Sequence, residues 1–168
     1  GNMRNAIPRE SYAVVAVPEH TALLFETSLA TYVSAVKALY TATEPNLKIT
    51  LGQAAEQPVI DEDTQSSLLA AIVGLPNGVL AMSQAMKGLV ETSTNTASVK
   101  FVDSKIVVTT SQRSSVELAK KSAMHSVEAV LALAGAEVEH SDGYPGWAPN
   151  PDSSLLYCTV ESYKSLFG

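Results

Sequence analysis

Apolar side chains recur along this chain at two spacings, one typical of helices and one typical of strands. Where they lie three or four residues apart they form one face of a helix, and where they alternate or cluster in short β-branched runs they indicate a strand. The helical spacing predicts four helices, at about residues 20–42, 62–73, 114–134 and 153–167.

Short polar signals mark where two of these helices begin and end. Ser114 and Glu117 have the S-x-x-E spacing of a capping box, in which each side chain bonds a backbone N–H of the first turn. Gly135 suits the left-handed position that follows a helix. Asp152 is the predicted cap of the last helix.

The remaining apolar runs predict strands, with a turn at Val102-Asp103-Ser104 between the two longest. The predicted strands cover about residues 11–17, 47–51, 87–101, 105–111 and 137–140. The resulting order is β-α-β-α-β-β-α-β, followed by a linker and a helix. Mixed order with a hairpin predicts an α+β fold, a mainly antiparallel sheet with helices on one face.

The segment 141–152 differs from the rest because it is rich in glycine and proline. Such composition is typical of a linker or a domain crossing. We therefore predict two parts, a domain at residues 1–141 and a linker with a returning helix at residues 142–168.

Composition and charge exclude several classes of function. The net charge is −6 and the 11 basic residues are scattered, whereas backbone-driven nucleic-acid binding needs a basic stripe. No uninterrupted apolar run approaches the roughly 18 residues that span a bilayer, so no membrane partner is expected. The single Cys158 cannot form an intrachain disulfide and fits a reducing compartment.

The residues that could bind a metal or act as a nucleophile form no recognisable motif. His20, His125 and His140 are far apart in sequence, and no two lie at i,i+4 spacing. The run 61–63 (Asp-Glu-Asp) lacks the length and glycine of a calcium loop. Cys158 lies inside an amphipathic helix, where a packed thiol is the ordinary interpretation. We expect neither a metal site nor a catalytic residue within this chain.

Arg113 is the candidate binding residue, because it lies where a predicted strand runs into a helix N-terminus. The exposed N–H groups of such an end favour an anion, and an arginine beside them would strengthen a carboxylate site. The alternative is a solvated arginine one residue before the cap. The local sequence leaves both open.

Three strings, in order, resemble a known family. They are RNAIPRE at residues 4–10, LPNG with KGLVETSTN at residues 75–78 and 87–95, and GYPGW at residues 143–147, followed by a helix that ends Ser-Leu-Phe. In order and approximate spacing they are similar to the aminoacyl-histidine dipeptidases, part of the zinc peptidase superfamily that includes carnosinase. The matching strings span residues 4–167.

The resemblance implies a cytoplasmic two-domain enzyme whose catalytic domain holds two metal ions, usually zinc, and a glutamate general base. Those ligands lie in motifs before and after the lid, and none of these motifs is present in this chain. The chain would then be a partial ferredoxin-like lid and dimerisation domain, without a cofactor of its own. Its expected partners are a dipeptide substrate, the catalytic domain and a second copy in a homodimer.

The resemblance also implies three substrate-binding residues. Arg113 matches the arginine that ends the second lid strand and is implicated in binding the substrate carboxylate. Asn5 matches a polar position near the substrate, and Asn95 matches a polar position on the preceding strand. For the two asparagines the local alternatives are a turn cap at Asn5 and a solvated strand residue at Asn95.

The leading hypothesis is therefore the lid segment of a metallo-dipeptidase that cleaves Xaa-His dipeptides such as carnosine, inactive by itself. One alternative is a stand-alone α+β interaction module without catalysis. Another is a related zinc aminopeptidase or deacylase that shares the lid but acts on other substrates.

Overall fold

The computed structural model describes all 168 residues, and they form two compact units. One consists of Tyr12–Asp61, and the other of Gly1–Ser11 together with Glu62–Gly168. In chain order the elements are a 3-10 turn Glu19–Thr21, then α1 Ala22–Leu39, α2 Glu62–Gly74, β1 Gly78–Met82, β2 Val90–Val102, β3 Lys105–Ser114, α3 Glu117–Leu133 and α4 Ser154–Phe167. All four predicted helices are present, and the predicted α+β class with an antiparallel sheet is confirmed.

The sheet has three antiparallel strands in the order β1-β2-β3. A two-residue turn joins β2 to β3, and Val102 pairs with Lys105 across it. Asp103 and Ser104 in that turn both have positive φ, 47° and 65°. Positive φ at both positions gives the twist that a tight antiparallel hairpin needs, and the predicted turn is confirmed.

The core lies between the sheet and helices α2 and α3. Helix α3 packs on β2 and β3, and α2 packs on α3. Ala71, Leu75, Val127 and Leu131 form the buried cluster. Complete burial of side chains such as Val127 and Leu131 contributes about 1.5–3 kcal/mol each.

Helix α3 ends as its sequence predicts. Gly135 has φ 80°, which a residue with a side chain rarely adopts. The N–H of Gly135 donates to the carbonyl of Ala132, and the N–H of Ala136 donates to the carbonyl of Leu131. This pair of bonds is a Schellman motif, and it satisfies carbonyls that the helix itself leaves without partners.

Three predicted strands are absent. Residues 11–17, 47–51 and 137–140 contain no strand. A strand exists only through a ladder of hydrogen bonds to a neighbour, and the sheet of this chain contains only β1, β2 and β3. Strand β1 was not predicted, because its first residue, Gly78, belongs to the Pro-Asn-Gly sequence that indicates a turn. Strand β2 begins at Val90, three residues later than predicted.

The two predicted helix caps are also wrong. Ser114 is the last residue of β3, and its Oγ accepts from the N–H of Val116 at 3.0 Å without forming a capping box. Val116 is the N-cap residue of α3 and has no side-chain cap. At the last helix the N-cap is Ser153, again without a side-chain bond, and Asp152 precedes it.

One helix, Glu19–Leu39, is long and apolar enough to cross a membrane by length and composition alone. None of its residues is buried in the structure. A core helix of a soluble protein, which is mostly buried, and a signal sequence near the N-terminus both pass the same test, so length and composition alone are weak evidence for a membrane span.

Candidate substrate-binding face

The sheet turns one face toward α3 and leaves the other uncovered by that helix. Successive side chains of a strand point to opposite faces, and Thr92 and Thr94 are buried on the α3 side. Ser93 and Asn95 therefore lie on the other face, where their partners on β3 are Arg113 and Ser111. We call the face that carries these four residues the open face.

The open face brings together two of the three predicted site residues. Arg113 pairs with Ser93, and Asn95 is the next residue of β2 on the same side. Diagonal neighbours of this kind are about 7–8 Å apart in an antiparallel sheet. The two side chains therefore start from neighbouring positions of one face.

Asn95 fixes the chain around the third predicted residue, Asn5. Its Nδ2 donates to the carbonyl of Ala6 at 2.9 Å and to the carbonyl of Arg4 at 3.3 Å. These carbonyls flank Asn5, which is exposed. The side-chain amide of Asn95 is thus used on backbone groups, and its structural role is to hold the N-terminal segment against β2.

Arg113 is exposed and forms no ion pair. Its Nη2 donates to Oη of Tyr144 at 3.3 Å, across 31 residues of sequence. Tyr144 belongs to residues 143–147, the GYPGW string, which we call the Tyr144 loop. A guanidinium without a carboxylate partner can bind an anion through several N–H groups at once.

The Tyr144 loop is fastened to the first turn of α3. Lys120 Nζ donates to the carbonyl of Tyr144 at 2.7 Å and pairs with Glu117 at 2.9 Å. The carboxylate of Glu117 in turn accepts from the N–H of Gly146 at 3.3 Å. A Cβ on Gly146 would lie 2.7 Å from the carbonyl oxygen of Ser114, so this close approach requires glycine.

The contacts of Glu117 with Lys120 and Gly146 also change its pKa. The hydrogen bond from Lys120, and after it the bond from the backbone N–H of Gly146, lower the pKa of Glu117 below its ordinary value of 4.5. Both interactions favour the ionised carboxylate. The contact that holds the loop is therefore present at neutral pH.

The sequence made Arg113 a candidate, but it did not predict its contact with Tyr144 or the contacts of Lys120 and Glu117 with the Tyr144 loop. Glu117 was interpreted as a capping-box residue, and its carboxylate instead binds the loop. The GYPGW string was an available signal, because two glycines and a proline within five residues are typical of a turn. Where that turn lies in the fold cannot be read from its composition.

No group of three or more His, Cys, Asp or Glu side chains converges in a way that could hold a metal ion. His140 Nε2 lies 3.3 Å from Oε2 of Glu128 in an exposed pair. Cys158 is exposed on α4, so the interpretation of a packed thiol is wrong. The residues of this chain do not by themselves fit a metal centre.

Two cavities lie away from Arg113. One of about 460 Å³ lies within Tyr12–Asp61, between α1 and residues 49–51. The other, of about 290 Å³, lies beside the N-terminal segment and the distal part of the hairpin, with Arg4 and Lys100 in its lining. Neither includes a predicted site residue.

The fold and the open face define an α+β segment with an exposed arginine that forms no ion pair. No family model matches the chain. It is 30% identical over 168 residues to the cytosol non-specific dipeptidase of Escherichia coli (strain K12), an alignment that covers 99% of this chain and 35% of that protein.

A solved structure gives the same result. The aminoacylhistidine dipeptidase of Vibrio alginolyticus matches with a TM-score of 0.88 and 30% identity, over 100% of this chain and 34% of that one. The chain is therefore similar, in sequence and in fold, to one segment of these two dipeptidases, and the resemblance drawn from the three strings is confirmed. It spans about a third of the length of either relative.

Proposed function

We propose that this chain serves as the lid and dimerisation segment of a metal-dependent dipeptidase that hydrolyses Xaa-His dipeptides such as carnosine. The observation that carries the proposal is the similarity of the whole chain, in sequence and in fold, to one third of two dipeptidases. The open face would contribute substrate binding, and the chemistry would come from polypeptide outside these 168 residues.

Arg113 would bind the free carboxylate of the dipeptide. It is exposed and without an ion pair, and it lies on the same face as Asn95. Asn95 would act by holding residues 4–6, so that Asn5 reaches the substrate from the edge of this face. A carboxylate bound in this way aligns the peptide bond for attack.

Two zinc or other divalent ions, with a glutamate base, would belong to the catalytic domain. Bound metal of this kind activates a water molecule as nucleophile. Because no metal-ligand cluster exists among the residues of this chain, we assign it no step of the hydrolysis. By itself the chain would be inactive.

We further propose a cytoplasmic homodimer. The Escherichia coli relative is described as a cytosol dipeptidase, which supports the compartment. Light scattering of the full-length polypeptide tests the dimer, and a monomer at all concentrations would contradict it.

Replacement of Arg113 tests the binding role in the full-length polypeptide. Arg113→Ala removes a charged hydrogen-bond donor, so kcat/KM for carnosine should fall by about 10- to 100-fold, mainly through KM. Arg9→Ala, at an exposed arginine of the N-terminal segment, is the control. An unchanged kcat/KM in Arg113→Ala would remove this residue from the substrate site.

Activity assays test whether hydrolysis requires polypeptide outside this chain, and which dipeptides are hydrolysed. With added zinc, the full-length polypeptide should hydrolyse carnosine and this chain alone should not. Turnover by the chain alone would contradict the lid proposal. Equal kcat/KM for Xaa-His and Xaa-Ala dipeptides would contradict the Xaa-His preference, and no peptidase activity in either protein would favour a non-catalytic interaction module.

A further inference from the structure

We infer that Tyr144 is a second substrate-binding residue, and that its phenol O–H binds the same carboxylate as Arg113. The inference rests on the proposed function and adds a residue that comes from a different part of the chain. Its basis is the contact between Arg113 Nη2 and Tyr144 Oη and the way in which the Tyr144 loop is fastened.

The direction of the hydrogen bond between the two side chains is fixed by chemistry. An arginine has only donors, so Tyr144 Oη must accept from Arg113. The phenol then keeps its own O–H proton for a further acceptor. The remaining N–H groups of Arg113 and the O–H of Tyr144 therefore lie next to each other and are exposed. Together they can donate to both oxygens of one carboxylate.

The loop is held in place before any ligand arrives. Lys120 holds the carbonyl of Tyr144 at 2.7 Å, and Glu117 holds the N–H of Gly146. The side chain of Lys120 is only 14% exposed, so this anchor is largely shielded from solvent. A donor fixed in advance loses little conformational freedom on binding, and more of its interaction remains as affinity.

The Tyr144 loop is anchored through its backbone, whereas the side chain of Tyr144 is exposed. Tyr144 is 71% exposed, so its ring packs little against the rest of the chain. A tyrosine whose role was packing would be buried, and its phenol would be expendable. Here the backbone of the loop makes the structural contacts, and the phenol is directed to Arg113.

Tyr144→Phe in the full-length polypeptide tests the inference, because it removes one oxygen and keeps the ring. For a dipeptide with a free carboxylate, KM should rise about tenfold, the size expected for loss of one hydrogen bond to a charged group, while kcat stays within about twofold. The C-terminal amide of the same dipeptide, measured as a competitive inhibitor, should keep its inhibition constant. Tyr40→Phe, at an exposed tyrosine in the other unit, is the control.

Three outcomes for Tyr144→Phe would overturn the inference. An unchanged KM would show that the phenol does not bind substrate. An equal loss for carboxylate and amide, or a fall in kcat, would show that Tyr144 acts through the structure of the loop. An unchanged melting temperature of Tyr144→Phe establishes that the variant is folded.

Arg113→Ala and the double variant distinguish failure of the inference from failure of the proposed function. If both residues bind one carboxylate, the increases in KM should not multiply in the double variant. An effect of Arg113→Ala without an effect of Tyr144→Phe would overturn the role of Tyr144 and leave the proposed function intact. No effect of either substitution would overturn the role of Tyr144 and the proposed role of Arg113 in substrate binding.

Discussion

At the scale of single residues, Glu117 connects α3 to the Tyr144 loop. Its carboxylate accepts from Lys120 and from the backbone N–H of Gly146, and both bonds lower its pKa. A carboxylate whose pKa is lower in the folded than in the unfolded state stabilises the fold above its unfolded pKa. This contribution is lost as the pH falls through the folded-state pKa.

We predict that Glu117→Gln lowers the melting temperature at pH 7. The difference from the unsubstituted chain should diminish as the pH falls below about 4.5, the ordinary pKa of the group. The measurement is the melting temperature of both proteins as a function of pH. Glu161→Gln is the matched control, because Glu161 pairs with Lys164 at the same i,i+3 spacing on an exposed helix. A pH-independent difference for Glu117→Gln would contradict the prediction.

Asn95 gives a second prediction at this scale. Asn95→Ala removes both bonds to the carbonyls of Arg4 and Ala6, each of which contributes about 1 kcal/mol or less at an exposed site. The N-terminal segment should detach more often, so trypsin should cleave after Arg4 and Arg9 several times faster. Asn46→Ala, at an exposed asparagine in the other unit, should leave the cleavage rate unchanged.

The contrast between Asn95 and Arg113 shows what the sequence reveals about a site. Residue type and position beside a predicted strand were enough to identify Arg113 as a candidate. The partners of Asn95 lie about 90 residues away along the chain, and Tyr144 lies 31 residues from Arg113. Local patterns contain no information about such contacts, because they depend on how the elements pack.

At the scale of elements, the Tyr144 loop depends on one glycine more than on the other. A Cβ on Gly146 would lie 2.7 Å from the carbonyl oxygen of Ser114, whereas a Cβ on Gly143 would have no other atom within 4 Å. We predict that Gly146→Ala lowers the free energy of unfolding by about 1–3 kcal/mol, the usual cost of overpacking. Gly143→Ala should change it little.

Urea unfolding of the two glycine variants measures this difference. If the Tyr144 loop also positions the substrate site, Gly146→Ala should raise KM in the full-length polypeptide, and Gly143→Ala should not. Equal stability of the two variants would contradict the role assigned to the close approach at Gly146.

The elements also show where pattern reasoning succeeds and fails. Helical spacing identified all four helices because a helix satisfies its own backbone, so a local pattern specifies most of it. Strands need a partner. Residues 11–17 have strand composition, yet Tyr12, Val14 and Val15 are more than half exposed and no strand forms. Composition predicted the tendency of this segment, and pairing decides whether it becomes a strand.

At the scale of the whole molecule, the unusual quantity is exposed surface. The chain exposes 13706 Å², whereas two separate compact proteins with the sizes of its two units would expose about 9,000 Å² together. Helices α1 and α4 contain no buried residue. Large apolar side chains left exposed along both helices are typical of faces that other polypeptide covers.

We predict that the chain alone binds a hydrophobic dye strongly and that the full-length polypeptide does so much less. On α4, Tyr163 and Phe167 pack against each other with ring centroids 5.0 Å apart and lie largely exposed. Aspartate at both positions should lower dye binding by the chain alone. Aspartate at Ser162, an exposed polar position on the same helix, should not, and weak dye binding by the unsubstituted chain would contradict the prediction.

The strand order has a consequence for handling the chain by itself. In a sheet of three strands, β1 and β3 each leave one row of backbone N–H and C=O groups unpaired, and β3 is ten residues long and contains no proline. An edge strand of this kind can pair with the same strand of a neighbouring molecule, and repetition of that pairing produces fibrils. Storage at high concentration should therefore favour ordered aggregates, and a proline introduced in β3 at a position whose N–H points outward should delay them.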